Sequence, residues 1–278
     1  LVLLAGLGFV GLAGVSIVVN VITAGILFHL LVRHLFRPHL VVNWNFQKRI
    51  LHTSYPLMIN HLMATLFFKV NIMFLQVMQG DTIVGLYSTA YKYIDALNIV
   101  PASFTMAIFP LMSRYASTAK DSLLRAYKLS IKLLLLFALP TALLTTLTAR
   151  YLIIILGGSE YLPHSMITLQ ILIWYMPFGF INSVTQYVLI ALDQQRFLTR
   201  AFAIGLGFNV VANWIFIPIY GYQAAAVIAV LSELALLIPF YYGVRKHLAP
   251  LPWFDLTWRP VTSAALMGIV TLALRQII

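Results

Sequence analysis

Residues Ala201–Ser232 read AFAIGLGFNVVANWIFIPIYGYQAAAVIAVLS, without one Asp, Glu, Lys or Arg. A helix that crosses a bilayer needs about 20 consecutive, predominantly apolar residues. This run holds two such helices, joined by the short connection Ile219–Gly221. Leu1–Phe28 is equally free of these four residue types, and so is Tyr161–Leu192, where His164 is the one titratable imidazole. Strands of a membrane barrel are ~10 residues long and alternate apolar with polar. Runs of this length and uniformity exclude them.

The whole chain agrees with its runs. Of its 278 residues, 62% are hydrophobic and 9% charged, and the mean hydropathy is +0.94. A soluble domain carries about 25% charged residues, so this composition excludes a soluble enzyme and a secreted domain. The net charge of +11 does not mark a nucleic-acid binder, because the basic residues cluster between apolar runs, where they set topology. Without cysteine there is no disulfide frame, thiol nucleophile or Cys-ligated metal. The first residue is Leu1, with no basic leader, so the opening run reads as a helix and the chain as a piece of something longer.

Apolar runs and breaker residues predict eight membrane segments, near 9–32, 56–78, 83–113, 130–148, 165–191, 201–218, 222–244 and 258–277. Alternate connections carry Arg33, Arg37, Lys48 and Arg49; Arg114, Lys120, Arg125, Lys128 and Lys132; Arg196 and Arg200; and Arg245, Lys246 and Arg259. The opposite side has only Arg150 and Arg275. The basic side is therefore cytoplasmic. Arg125, Lys128 and Lys132 share one helical face, and Leu124, Tyr127 and Ile131 another. That pattern suits either a helix lying on the headgroups or a solvated basic loop.

Gly8-Phe9-Val10-Gly11-Leu12-Ala13 is similar to Gly221-Tyr222-Gln223-Ala224-Ala225-Ala226, and the same register pairs Arg33-His34-Leu35 with Lys246-His247-Leu248. Parallel repeats of this kind build two-lobed transporters. The expected architecture is thus all-α, a polytopic transmembrane helix bundle with parallel six-helix repeats. Residues 1–35 supply the last helix of a first lobe, 36–55 a cytoplasmic linker, 56–248 a six-helix second lobe, and 249–278 an additional transmembrane helix.

A charge inside the bilayer costs about 2.5–3.5 kcal/mol even on a lenient insertion scale, so each one needs a reason. Lys69 and Lys92 both fall ~13 Å from the outer ends of their segments, which puts two cations at one depth. Asp95 follows Lys92 at i+3 and can pair with it. Ser88, Tyr91, Lys92, Asp95 and Asn98 fall within an arc of about 120°, a polar stripe. Lys69 has no acid nearby in its own helix and suits an anionic substrate. Glu233 lies ~16 Å from the outer end of its segment. It is either a proton- or sodium-linked carboxylate or a carboxyl hydrogen-bonded between helices; Asp95 is either a second ion-linked carboxylate or, paired with Lys92, a lock on helix packing. Tyr175, Gly179, Asn182 and Gln186 line one side of their segment, as do Phe202, Gly205, Asn209 and Asn213. Rings and amides on one face suit carbohydrate, and small and amide residues also hold helices together.

These residues carry a resemblance. Gly85-Leu86-Tyr87-Ser88-Thr89-Ala90-Tyr91-Lys92, running on to Phe109-Pro110-Leu111-Met112-Ser113-Arg114, resembles the eighth helix of bacterial polysaccharide-biosynthesis flippases of the Wzx type. Ala191-Leu192-Asp193-Gln194-Gln195-Arg196, then Asn209 and Asn213-Trp214-Ile215-Phe216-Ile217-Pro218-Ile219-Tyr220-Gly221, resembles their eleventh helix and its turn. Gly157-Gly158-Ser159-Glu160-Tyr161 is similar to their outer loop. The likeness runs from Ile50 to Leu248. It implies a twelve- to fourteen-helix transporter of the multidrug/oligosaccharidyl-lipid/polysaccharide flippase superfamily, with two lobes around a cationic cavity. Such proteins move undecaprenyl-diphosphate-linked oligosaccharides, O-antigen repeat units among them, to the outer leaflet of the cytoplasmic membrane by alternating access, often driven by an ion gradient. On this pattern Lys69 stands where many members have a basic residue, and Asn71 where an Asp is common.

The expected function is therefore a lipid-linked oligosaccharide flippase of the cell membrane. Lys69, Lys92, Asp95, Tyr91, Asn98, Asn182, Gln186, Asn209 and Asn213 line its cavity, and Glu233 and Asp95 couple it to H+ or Na+. Its expected partners are the lipid-linked substrate, membrane lipids and polysaccharide assembly machinery, with no nucleic acid, cofactor or metal. A cation or drug antiporter, which would have an acid-dominated cavity, and a lipid II flippase stay open. A membrane polymerase or ligase needs catalytic groups in a sizeable outer loop, and Gln79–Thr82, Ile219–Gly221 and Ala149–His164 offer little of that kind.

Overall fold

Two glycines and two prolines cut the long apolar runs into helices. The computed structural model describes residues 8–34 and 43–277. Its helices are α1 (Gly8–His34), α2 (Trp44–Leu97), α3 (Ile99–Thr118), α4 (Lys120–Gly157), α5 (His164–Leu172), α6 (Tyr175–Ala191), α7 (Gln195–His247) and α8 (Trp253–Ile277), with a 3₁₀ turn at Ser159–Tyr161. No strand occurs among the described residues.

α2 and α7 are each two antiparallel-capable arms divided at one residue, Gly80 (φ 79°, ψ 179°) in α2 and Gly221 (φ 59°, ψ −138°) in α7. Both conformations lie where a Cβ is not accommodated, so glycine is what permits the turn. Proline makes the other two breaks. The carbonyl of Leu97 would accept from residue 101, which is Pro101, and that of Ile173 from residue 177, which is Pro177. With no N–H at either position, α2 gives way to α3 at Asn98, and α5 gives way to α6 with a 41° bend. α6 closes with Asp193 in the left-handed region (φ 58°), and Gln194 N–H donates back to Leu189 O at 2.9 Å, a Schellman-type stop.

The chain divides into Leu1–Thr53 and Ser54–Ile278. In the first unit, Gly14–His34 is long and apolar enough to cross a membrane, and α1 ends at His34, the residue the repeat register pairs with the last residue of α7. The linker expected at 36–55 lies partly outside the described residues, and so does Arg37. In the second unit, α4 packs on α8, α6, α5 and α3, and α7 packs on α6 and α5. Among the described residues, four helices are long and apolar enough to cross a membrane, or five if the bent α5–α6 pair is one span; α8 is not among them.

The second unit is arranged for an apolar solvent. Val77, Ile155, Phe254, Ile238 and Ile219 are exposed, while Asn60, Asn71, Asn182, Asn209, Asn213 and Glu233 are buried. In a bilayer this is the stable arrangement, because polar groups find partners only inside the protein. The segment around Tyr127 is no separate surface helix. Leu123, Tyr127 and Ile131 are buried in the core as the first turns of α4, whose 38 residues outreach a ~30 Å hydrocarbon layer.

Candidate functional site

In the second unit a cavity of about 340 Å³ opens among α2, α3, α6 and α7. Its side chains arrive by helical spacing. Tyr91 and Asp95 follow at i and i+4 along the second arm of α2, Asn98 comes at i+7 at its junction with α3, and Asn182, Ser183 and Gln186 lie along α6, with Lys69 from the first arm of α2 and Glu233 from the second arm of α7. Residues at these spacings share one face of a helix.

Lys69 is exposed, with its Nζ 5.7 Å from the centroid of the Tyr91 ring, within cation–π range. The Tyr91 ring stacks on that of Tyr87 at 6.1 Å and 18°. Phe202 and Phe240 form part of the wall and meet edge to face at 5.5 Å. The floor is polar. Asn182 Nδ2 donates to Glu233 Oε2 at 2.6 Å and to the backbone carbonyl of Glu233 at 2.8 Å. Glu233 Oε1 and Asn182 Oδ1 are buried without a partner. Tyr175 faces the same carboxylate.

Seven of the expected residues thus come together: Lys69, Tyr91, Asp95, Asn98, Asn182, Gln186 and Glu233. Lys92, Asn209 and Asn213 do not line this cavity. Lys92 follows Tyr91 directly, and one helical step turns its side chain about 100° away; it is exposed and makes no ion pair with Asp95. Asn209 and Asn213 are spent on packing. Asn213 Nδ2 donates to Asn71 Oδ1 at 2.6 Å, to Asn209 O at 2.8 Å and to Asn209 Oδ1, tying α7 to α2. Tyr175 was legible on the α6 stripe, but its place beside Glu233 was not, since those residues are far apart in sequence. Among the described residues no cluster of His, Asp or Glu is able to hold a metal.

An all-α bundle with an apolar exterior and a polar internal cavity defines a multi-pass membrane protein. Residues 1–116 match the model of the family described as polysaccharide biosynthesis protein. The chain also superposes on the structure of "Lipid II flippase MurJ, inward closed conformation" with a TM-score of 0.71, at 13% identity over 89% of this chain and 53% of that one. The family model covers less than half of the chain, and the solved structure shows that the two chains share a fold. The chain spans about half the length of that solved flippase. No curated protein matches the sequence.

Proposed function

We propose that this chain works in a flippase that carries a diphosphate-linked lipid oligosaccharide, such as an O-antigen repeat unit, across the bacterial cytoplasmic membrane by alternating access. One observation carries this reading. A single cavity holds a cation at Lys69, amides at Asn98, Asn182 and Gln186, and the rings of Tyr91, Tyr175 and Phe202. A cation suits a diphosphate, and amides and rings suit sugar hydroxyls and faces. On this reading the partners are the lipid-linked substrate, membrane lipids and the assembly machinery that makes and uses it. The solved structure that shares this fold is that of a lipid II flippase.

A second reading, a cation or drug antiporter, draws on the same cavity, where the carboxylates Asp95 and Glu233 outnumber Lys69. Depletion of the full-length protein in its host separates the two. A flippase leaves lipid-linked oligosaccharide on the cytoplasmic leaflet, and wild type restores export while Lys69→Ala does not. Hypersensitivity to cationic drugs with no such accumulation makes the antiporter the answer.

A further inference from the structure

Both arms of α7 border a groove that the flippase reading leaves unused. Phe208, Ala212, Phe216 and Tyr220, each four residues from the next, line it on the first arm. Ala224 and Ile228, with Val227 and Leu231 beside them, line it on the second. Four-residue steps keep side chains on one helical face, so both walls run lengthwise. The groove holds about 600 Å³. It starts at the Gly221 turn, the end of α7 opposite Arg196, Arg200, Arg245 and Lys246, and therefore the outer end. From Tyr220 to Phe208 is ~18 Å and from Gln223 to Leu231 ~12 Å along the helix, which brackets the ~15 Å depth of one hydrocarbon leaflet.

A smaller groove of about 280 Å³ adjoins it, bordered by Gln170 of α5 and by Trp174 at the α5–α6 bend. Ile171, Val227 and Leu231 border both, so they form a ridge with a branch on either side. Gln170 turns its amide away, donating from Nε2 to Thr146 O at 3.1 Å. Among the described residues no charged side chain lines either branch, and neither branch shares a residue with the polar cavity. At the outer end stand two exposed polar side chains, Tyr220 and Gln223.

We propose that the two branches hold the two acyl chains of one outer-leaflet diacyl phospholipid, with its glycerol esters at Tyr220 and Gln223. One chain follows the first arm of α7, and the other crosses at Val227 into the smaller branch. The groove is continuous with the bilayer-facing exterior, where Val211, Ile215 and Ile219 of the same arm are exposed. The medium that reaches it is hydrocarbon, and leaving it empty forfeits dispersion contacts along every wall. Shape chooses among the occupants. A polyprenyl lipid has a single chain and leaves one branch unfilled. A helix of a second copy is ~10 Å across, and ~18 Å of it needs about 1,400 Å³, more than the two branches hold. The Tyr220 hydroxyl and the Gln223 amide are donors suited to ester carbonyls. This lipid is a fixed part of the protein and not its cargo, so the site does not depend on what the polar cavity carries.

The test uses the full-length protein purified in detergent, with native mass spectrometry reading retained lipid. Wild type is expected to keep one diacyl phospholipid and Val227→Trp to lose it. Val227 is 43% exposed, so the larger ring has room to fill the groove without entering the core. Ile238→Trp, on the same arm at a 72% exposed position outside the groove, is expected to keep the lipid. Equal retention by the two variants, or equal loss, overturns a defined site. A polyprenyl lipid displaced by Val227→Trp in place of a diacyl one, or a lipid-free dimer that Val227→Trp dissociates, overturns the assignment in favour of that occupant. Should Val227→Trp fold poorly, delipidated wild type decides. One equivalent of phosphatidylglycerol is expected to raise its melting temperature, because a ligand of the folded state stabilises it. Undecaprenol, a single chain without phosphate, is expected to leave it unchanged. No rise with phosphatidylglycerol, or the same rise with both, overturns the proposal.

Discussion

Asn182 and Glu233, 51 residues apart in sequence, share two hydrogen bonds from one amide nitrogen, 2.6 Å to the carboxylate Oε2 and 2.8 Å to the backbone carbonyl. The amide therefore fixes both the side chain and the helix that carries it, joining α6 to the second arm of α7 at the floor of the cavity. Removing it strands a buried carboxylate oxygen. Asn182→Ala is expected to cost about 1–3 kcal/mol of stability, read as a lower melting temperature in detergent. Because the two groups act as a pair, Asn182→Ala with Glu233→Ala should cost less than the sum of the single changes. Strict additivity would show that the bond carries no energy.

The two intramembrane lysines should separate in function. Lys69 lines the cavity and Lys92 does not, although sequence reading places them at one depth. Lys69→Ala is expected to weaken diphosphate binding by about tenfold or more, the loss of a charge-assisted contact of ~1.5–3 kcal/mol. Lys92→Ala should stay within about twofold, as substitutions away from a site usually do. Equal losses from both would refute the cavity as drawn.

The turn at Gly221 predicts an asymmetry between glycines. Its backbone (φ 59°, ψ −138°) excludes a Cβ, which would also approach Gln79 Oε1 to 3.3 Å. Gly221→Ala should therefore destabilise by about 1–3 kcal/mol. Gly85 sits mid-helix with nothing within 4 Å of where a Cβ would stand, so Gly85→Ala should be neutral or stabilising by up to ~1 kcal/mol. Thermal denaturation of the two variants side by side settles it; a similar response would mean the Gly221 turn is not held.

At the Asn213 knot the donor matters more than the volume. Asn213→Asp replaces the nitrogen that serves Asn71 and Asn209 with an oxygen facing oxygens. It should lower the melting temperature more than Asn213→Ala, whose cost is capped near ~1.7 kcal/mol by the measured range for such intramembrane bonds. The reverse order would show that the amide group, and not its hydrogen bonds, supports the α2–α7 contact.

Much of the helical layout was legible in advance. Each expected segment has a helix or helical arm over it, because in a bilayer every backbone group must be paired within its own segment, so an apolar run of about 20 residues has one available structure. Helix ends were less legible. α4 begins at Lys120 and not near 130, since a basic first turn still propagates a helix when its other face, Leu123 and Tyr127, is covered by protein.

The site was legible only as stripes. Spacing alone put Tyr91, Asp95 and Asn98 on one face, and Asn182 and Gln186 on another, because helical periodicity is a local property of the chain. Which stripes meet depends on how helices rotate about their own axes when they pack, and that is set by contacts between residues far apart in sequence. For this reason the sequence by itself determined an all-α membrane protein, its basic side and its candidate polar residues. Only the tertiary structure decided that Lys69 and Glu233 share a cavity, that Lys92 lies outside it, and that Asn209 and Asn213 are consumed by Asn71, because a buried amide in a dry interior bonds to whatever partner the packing brings within 3 Å.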